Sequence, residues 1–494
     1  MILGSRLSNA TLAQLPQTVA RPDYDRATLR TGIVHLGLGA FHRAHQAVMT
    51  DAVLAQDPTW GILGVSLRST TTRDALLDQD NLYSVHAVDR EAAARRVIGA
   101  LTGVLVAPEN RFAVVHALAD PQTRIVSTTV TEKGYSHDPA TGNLREEDLD
   151  ILHDLTNPQT PRTTLGLIVY ALKLRKETGL KPFTVLPCDN IRANGKTLRR
   201  LVLRFAELVE PDLARWIEDK VAFPSTMVDR IVPATTDADR ASVAAALGVV
   251  DQWPVMTEPF LQWVVEDRFA AGRPLWEKAG AQFVSNVAPY ELMKLRLLNG
   301  AHSTIAYLGF LMGHDTVAQA MSEPALLRLI EAMMADEVSP TLPALAGFDL
   351  AAYRYSLVQR FRNPALQHRN WQIAMDGSQK LPQRLLGTVR DRLWAGAPFE
   401  RLALGVAAWM RYVTGIDEKR RPIEVRDPLV LRLRALADAS GPDAEKLVSA
   451  MLVGVSEIFG QDLAQSGAFR LAVTKHLHSL FTIGAAQTVR DYKN

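Results

Sequence analysis

The chain has 494 residues, 47% hydrophobic and 22% charged, an ordinary globular mixture that excludes disorder, collagen and coiled coil. At about 100–200 residues per domain the length suggests two or three domains. Lys+Arg 55 against Asp+Glu 53 leaves a formal charge of +2, without the basic excess or stripe of a nucleic-acid binder. The single cysteine, Cys188, allows no intrachain disulfide and no cysteine-rich zinc site, and points to a reducing cytoplasm. Met1 to Arg21 lacks the pattern of a signal peptide. The longest apolar run, Thr304 to Met312, falls short of a membrane span. The expectation is a cytoplasmic enzyme acting on a small molecule, with no membrane and no nucleic acid among its partners.

In chain order, Gly32–Leu38 (GIVHLGL) reads as a buried parallel strand and Ala44–Ala55 as a helix. Trp60–Leu67 and Arg124–Val130 are further strands. Thr164–Thr178 is a helix and Phe183–Leu186 the next strand. This alternation predicts α/β units on a mainly parallel sheet, a Rossmann-like domain over residues 1–285. From Pro289 the strand signal fades. Glu323-Pro324 and Asp427-Pro428 each open a helix with proline in the first turn, and Leu402–Tyr412 and Ala444–Phe459 are helical. Residues 286–494 are expected to form a mainly α-helical domain.

Gly37-Leu38-Gly39-Ala40-Phe41-His42 joins the first strand to the first helix. A dinucleotide needs glycines there so that its pyrophosphate can approach backbone at a helix N-terminus. His42 takes the place of a third glycine, and a tight turn without ligand is the competing explanation. No acidic partner for the adenosine ribose follows the second strand, and Asp57 falls before it. Arg68 would favour a 2′-phosphate, so these residues leave NAD and NADP both open. His42 and His45, three apart, share a helix face, but nothing else near them suggests a metal.

Met293 to Ser303 (MKLRLLNGAHS) carries the other polar cluster. On a helix at about 100° per residue, Lys294, His302 and Asn299 fall at 0°, about 80° and about 140°, on one side. A wet helix face would look the same. The chemical alternative is a desolvated lysine acting as general base beside an amide that holds the reacting oxygen. Asn190, after a strand in LPCDN, and Asp229-Arg230, in a proline-bounded segment, could complete such a site. For the Asp-Arg pair alone a surface ion pair is the plainer explanation.

Taken together, GLGAFHRAHQ from Gly37, TVTEKGY from Thr129, CDN at Cys188, FPSTMVDRIVP from Phe223, EPFLQWVVED from Glu258 and MKLRLLNGAHS resemble the mannitol dehydrogenase family of polyol dehydrogenases. The resemblance runs over nearly the whole chain. It implies a metal-independent, NAD-dependent oxidoreductase, in many cases a monomer, with a Rossmann-like N-terminal and a helical C-terminal domain. It implies Lys294 as general acid/base, Asn190 and Asn299 polarising the oxygen, and Glu291 in proton passage. Asp229, His302 and Lys380 would meet substrate. Arg369 and Arg384, near Lys380 in the sequence, are further candidates to meet a carboxylate at the far end of the substrate, with ordinary surface charges the plainer explanation for both. Gly37, Gly39, Ala40, Phe41, His42, Arg43 and Arg68 would meet the cofactor.

Two departures bear on specificity. Thr70-Thr71 replace an acidic pair that some mannitol enzymes carry after the second strand, and Gln372 replaces an arginine eight residues before the DGSxK lysine. His368 to Arg384 is more similar to fructuronate reductases. Reduction of fructuronate to mannonate is therefore expected, with mannitol oxidation to fructose the alternative. A sugar-acid-binding regulator without turnover is a remote third. A zinc alcohol dehydrogenase is disfavoured by the single cysteine.

Overall fold

The computed structural model describes residues 4–89, 93–130, 132–138, 141–345 and 347–492. Thr131, in the TVTEKGY motif, lies outside them. The chain divides into two compact units, Met1–Ala288 and Pro289–Asn494.

The first unit is built on a five-stranded sheet of β1 (Thr31–Leu36), β2 (Gly61–Ser66), β3 (Leu101–Val106), β4 (Ile125–Thr128) and β5 (Thr184–Pro187). Their spatial order is β3-β2-β1-β4-β5 and every pairing is parallel. This is the Rossmann order, whose direction reverses between β1 and β4, the crevice where such sheets bind ligands. The strands read as apolar runs because both faces are covered. Val34, Leu36, Val126 and Val185 pack with Val114, Leu118, Leu165 and Ile168 of the helices Arg111–Ala119 and Thr164–Glu177. Their neighbours Ile33, Ile125 and Leu186 face the other way, onto Met49, Trp60, Trp263 and Trp276. The alternation has the period of two that strand geometry imposes.

Two smaller sheets flank this core. In one, Val19–Ala20, Ala93–Ile98, Tyr83–Val88 and Val255–Thr257 lie side by side. In the other, Gln262–Glu266 runs antiparallel to Thr226–Asp229, with Gln262 opposite Asp229.

The expected helix Ala44–Ala55 is instead two short helices, Ala40–Ala44 and Gln46–Asp51, broken at His45 (φ −122°, ψ −91°). The cause is competition for the carbonyls of the first turn. Tyr83 Oη donates to the Arg43 carbonyl at 2.8 Å, and the Arg230 guanidinium donates to that of Ala44. His42 and His45 therefore do not share a helix face. His42 stacks on His35 (ring centroids 3.4 Å apart), and His45 Nε2 donates to the Gln262 carbonyl at 2.9 Å.

The second unit is helical. Gly300–Leu311 is buried along nearly its whole length and packs on Glu400–Val413, which packs in turn on Gly467–Thr482. The expected helix Ala444–Phe459 is two helices, Ala444–Gly454 and Ser456–Gln465, bent by 113° about Val455 (φ −134°, ψ 60°). Among the described residues no single helix is long and apolar enough to cross a membrane.

Candidate functional site

In the first unit the site begins at the end of β1. Gly37 has φ +95°, and a Cβ there would meet the Thr129 carbonyl oxygen at 2.4 Å, so the turn requires glycine twice over. Its N–H donates to Val65 at 3.0 Å, and its carbonyl accepts from the Gly39 N–H at 2.7 Å and the Thr129 hydroxyl at 2.9 Å. His35 supports the turn from beneath. Its Nε2–H lies 3.2 Å from the Gly37 carbonyl and 2.8 Å from Thr129 Oγ1, while Nδ1 accepts from Ser127 Oγ at 2.8 Å. Burial pushes its pKa down to about 3, so the imidazole is neutral. The sign available in the sequence was one polar residue inside the apolar run of β1.

Gly39 is different. It is exposed, in extended backbone, and a Cβ there would meet only the Gly37 oxygen at 3.8 Å. The open space lies at the helix start, beside Ala40 and Phe41. These residues fit a dinucleotide pyrophosphate, which needs close approach to backbone at this point. His42 and Arg43 are turned away. His42 is 1% exposed on His35, with its pKa pushed down by burial. Arg43 lies over the Tyr83 ring and donates to the Trp253 carbonyl at 2.6 Å. Both side chains belong to the core rather than to the turn's open side. Arg68 is exposed just beyond β2 and makes no hydrogen bond or ion pair among the described residues.

At the end of β5, Asp189 is buried and accepts from Thr128 Oγ1 at 2.9 Å and from the Tyr135 hydroxyl. Burial pushes its pKa up to about 7. Asn190, next in the chain, is exposed. Asn194 ties this loop to the strand bearing Asp229: its Nδ2 donates to the Asp189 carbonyl at 3.0 Å and to the Thr226 carbonyl at 2.9 Å. Asp229 is 3% exposed at the end of that strand, so it is a buried and not a surface carboxylate. Arg230 donates to the Glu258 carbonyl at 2.9 Å. Asn190 and Asp229 thus stand on elements joined through one buried amide.

In the second unit, Glu291 lies in the helix Ala288–Met293, and Lys294 to Asn299 form a π-helical turn rather than an α-helix. The Gly300 N–H bonds the Leu295 carbonyl, five residues back. The uniform step of 100° therefore does not hold between Lys294 and Asn299, and their angular relation is set by the π-turn. Such turns are rare and concentrate at functional sites. Lys294 is 8% exposed. His302 is buried against Phe361 (4.6 Å) and edge-on to His368 (5.2 Å). Burial, then His368, Arg360 and Arg384, hold His302 well below its ordinary pKa. His368 is lowered by burial to about 4.

The DGSQK motif forms a tight entry to a short helix, Gly377–Leu381. Asp376 has φ +55°, a conformation Asp tolerates better than most residues. A Cβ on Gly377 would strike Trp409 Nε1 at 2.3 Å. Ser378 donates to Asp427 through its N–H (2.8 Å) and its hydroxyl (2.6 Å). Lys380 Nζ donates to the Ile373 carbonyl at 3.3 Å and to that of Met375, and its pKa is lowered to about 8, mainly by burial and then by Arg384. Arg384 donates to Ser303 Oγ at 3.1 Å and reaches the Asn299 carbonyl at 3.5 Å. Neither Lys380 nor Arg384 is ion-paired to a carboxylate among the described residues. Arg369 is exposed at the start of the helix Asn370–Ala374, and its backbone bridges to Thr316. Arg384 sits against Asn299 and Ser303, a contact that sequence proximity to Lys380 only hinted at. Among the described residues no group of three His, Cys, Asp or Glu could hold a metal ion.

A Rossmann sheet with an open glycine turn at its switch point, followed by a helical unit carrying a buried lysine and a partly exposed asparagine on one π-turn, defines a Rossmann-type dehydrogenase. The chain belongs to the mannitol dehydrogenase family: residues 31–278 match the mannitol dehydrogenase Rossmann domain and residues 286–481 the mannitol dehydrogenase C-terminal domain. It is 48% identical over 478 residues to the D-mannonate oxidoreductase of Escherichia coli (strain K12), covering 95% of this chain and 97% of that protein. Mannitol 2-dehydrogenase of Aspergillus terreus is 40% identical, with 99% of each chain covered. The ternary complex of Pseudomonas fluorescens mannitol 2-dehydrogenase with NAD and D-mannitol superposes with a TM-score of 0.86 at 40% identity, over 98% of this chain and 99% of that one.

Proposed function

We propose that the protein is an NAD-dependent, metal-independent oxidoreductase that interconverts D-fructuronate and D-mannonate. The observation that carries the substrate is the pair of secluded cations Lys380 and Arg384, neither ion-paired to a carboxylate and the latter hydrogen-bonded to Ser303 beside His302. Partly buried cations with no carboxylate in ion-pair contact are costly, and a substrate carboxylate would relieve that cost more directly than Asp376 and Asp427, which act on Lys380 only from beyond ion-pair distance. The E. coli relative named for mannonate supports the same assignment.

Gly37, Gly39, Ala40 and Phe41 would hold the dinucleotide through backbone, with Arg68 near the adenosine ribose. NAD(H) held there would supply the hydride for reduction of the carbonyl carbon and accept it on oxidation of the carbinol. Lys294 takes the hydroxyl proton during oxidation and returns it during reduction. Asn190 and Asn299 donate hydrogen bonds to the oxygen as its charge develops, and Glu291 passes the proton towards solvent. Asp229 and His302 meet the substrate hydroxyls; a neutral His302 can donate one hydrogen bond and accept another. Arg369, being exposed, is assigned a lesser part than Arg384. The sugar chain's far end, a carboxylate in mannonate and a CH2OH in mannitol, is what Lys380 and Arg384 discriminate.

NADH oxidation with fructuronate and with fructose, at equal sub-saturating concentrations, tests this reading. Fructuronate is expected to be the faster substrate. A large preference for fructose would replace it with mannitol 2-dehydrogenase, and binding of both ligands without turnover with either would leave only a sugar-acid-binding protein.

A further inference from the structure

Among the described residues of the second unit there are three π-helical turns: Lys294–Asn299, Met333–Val338 and Pro382–Leu386. The first packs against both of the others. π-Helix makes up well under 1% of residues in ordinary proteins, so this clustering needs a physical cause. An extra residue in a helical turn costs regular hydrogen bonds and persists only where surrounding contacts hold it.

One side chain supplies such contacts. Arg296 lies inside the first π-turn, between Lys294 and Asn299, and is 8% exposed. Its Nη1 is 2.6 Å from Asp391 Oδ2, in the helix Gly387–Trp394 that continues directly from the third π-turn. The same nitrogen donates to the Thr341 carbonyl at 3.1 Å and to the Thr341 hydroxyl at 2.8 Å. That hydroxyl donates in turn to the carbonyl of Val338, the last residue of the second π-turn, at 2.7 Å. One guanidinium therefore joins all three segments.

We propose that Arg296 is a positioning residue for catalysis. By clamping to Asp391 and Thr341 it keeps Lys294–Asn299 in π geometry, and this sets the angle between Lys294 and Asn299. Relaxation to regular α-helix would slip the register by one residue and rotate one group against the other by about 100°. Arg296 itself touches no substrate. The inference rests on the role given above to Lys294.

The test uses the full-length protein with Arg296→Met and Asp391→Asn. The second alters only the half-exposed end of the clamp and is expected to fold if the first does not. Arg296→Met is expected to lower kcat by about 10²-fold, the scale of a small misplacement of a catalytic group. Asp391→Asn is expected to lower it by about 10-fold, on the same scale of reasoning. NADH affinity, read by fluorescence, should stay unchanged in both. The pH dependence of kcat should move and the primary deuterium isotope effect should rise, because the chemical step becomes slower. A clamp that merely supports stability would reduce the active fraction and leave the pH profile and the isotope effect where they are. That result, or unchanged kcat in either folded variant, overturns the proposal. Full activity in Lys294→Ala would instead remove the underlying assignment of the base, and is measured in parallel so that the two failures are distinct.

Discussion

Arg384 donates to the hydroxyl of Ser303 across 3.1 Å, and its own carbonyl lies 2.8 Å from where a Cβ on Gly300 would stand. The chain segment that follows the DGSQK motif is thus pressed backbone to backbone against the helix that continues from Asn299. Side chains cannot intervene at that distance, so the cation and the polar face of the lysine helix are held in a fixed relation.

Lys294→Ala is expected to lower turnover by at least about 10²–10⁴-fold, the usual contribution of a general acid/base. NADH binding should persist, because Gly37 and Gly39 lie in the other unit. Steady-state kinetics together with fluorescence titration of NADH check both parts.

The two glycines of the nucleotide turn should respond differently to the same substitution. Gly37→Ala places a Cβ 2.4 Å from the Thr129 oxygen at φ +95°, so stability should fall by more than the roughly 1–2 kcal/mol of a left-handed backbone alone. Gly39→Ala meets no neighbour closer than 3.8 Å and should leave the melting temperature nearly unchanged while weakening NADH binding. Thermal melts with and without NADH separate these effects. Equal NADH affinity in Gly39→Ala would show that the open space holds no pyrophosphate.

Lys380 predicts a pH limit on binding a sugar acid. Burial lowers its pKa to about 8, so it is cationic below that pH and loses its proton as pH rises through it. A carboxylate substrate favours the cation, and KM for fructuronate should therefore rise above about pH 8, whereas KM for uncharged fructose should rise less. Lys380→Met should abolish that difference. A parallel pH dependence for both substrates in the native enzyme would dissociate Lys380 from the carboxylate.

Arg68 is exposed beyond β2 with no bonded partner among the described residues, free to meet a 2′-phosphate. Arg68→Ala should reduce kcat/KM for NADPH by about fivefold, the scale of one solvent-exposed ion pair, and leave that for NADH within about twofold. Equal losses with both cofactors would assign Arg68 to structure rather than to phosphate recognition.

Much of this protein was legible in its residues. The apolar runs at Ile33–Leu36, Ile125–Thr128 and Thr184–Leu186 announced parallel strands because only a sheet covered on both faces tolerates such runs. The glycines after β1 and the polar residues along Met293–Ser303 marked the two chemical regions, and the ordered set of motifs pointed to the family. What periodicity could not decide was every place where a distant group captures a backbone carbonyl or a buried charge. Tyr83 and Arg230 capture the carbonyls of Arg43 and Ala44, 40 and 186 residues away in the chain, where the helix breaks at His45. His42 and Arg43, which the resemblance places among the cofactor residues, send their side chains into the core because His35, Tyr83 and Trp253 receive them. Lys294 to Asn299 form a π-turn, not an α-helix, in a setting where Arg296 is held by Thr341 and Asp391. Local sequence sets which residues are apolar and how often. The partner of a guanidinium or a carbonyl comes from elsewhere in the chain, so only the tertiary structure could supply it.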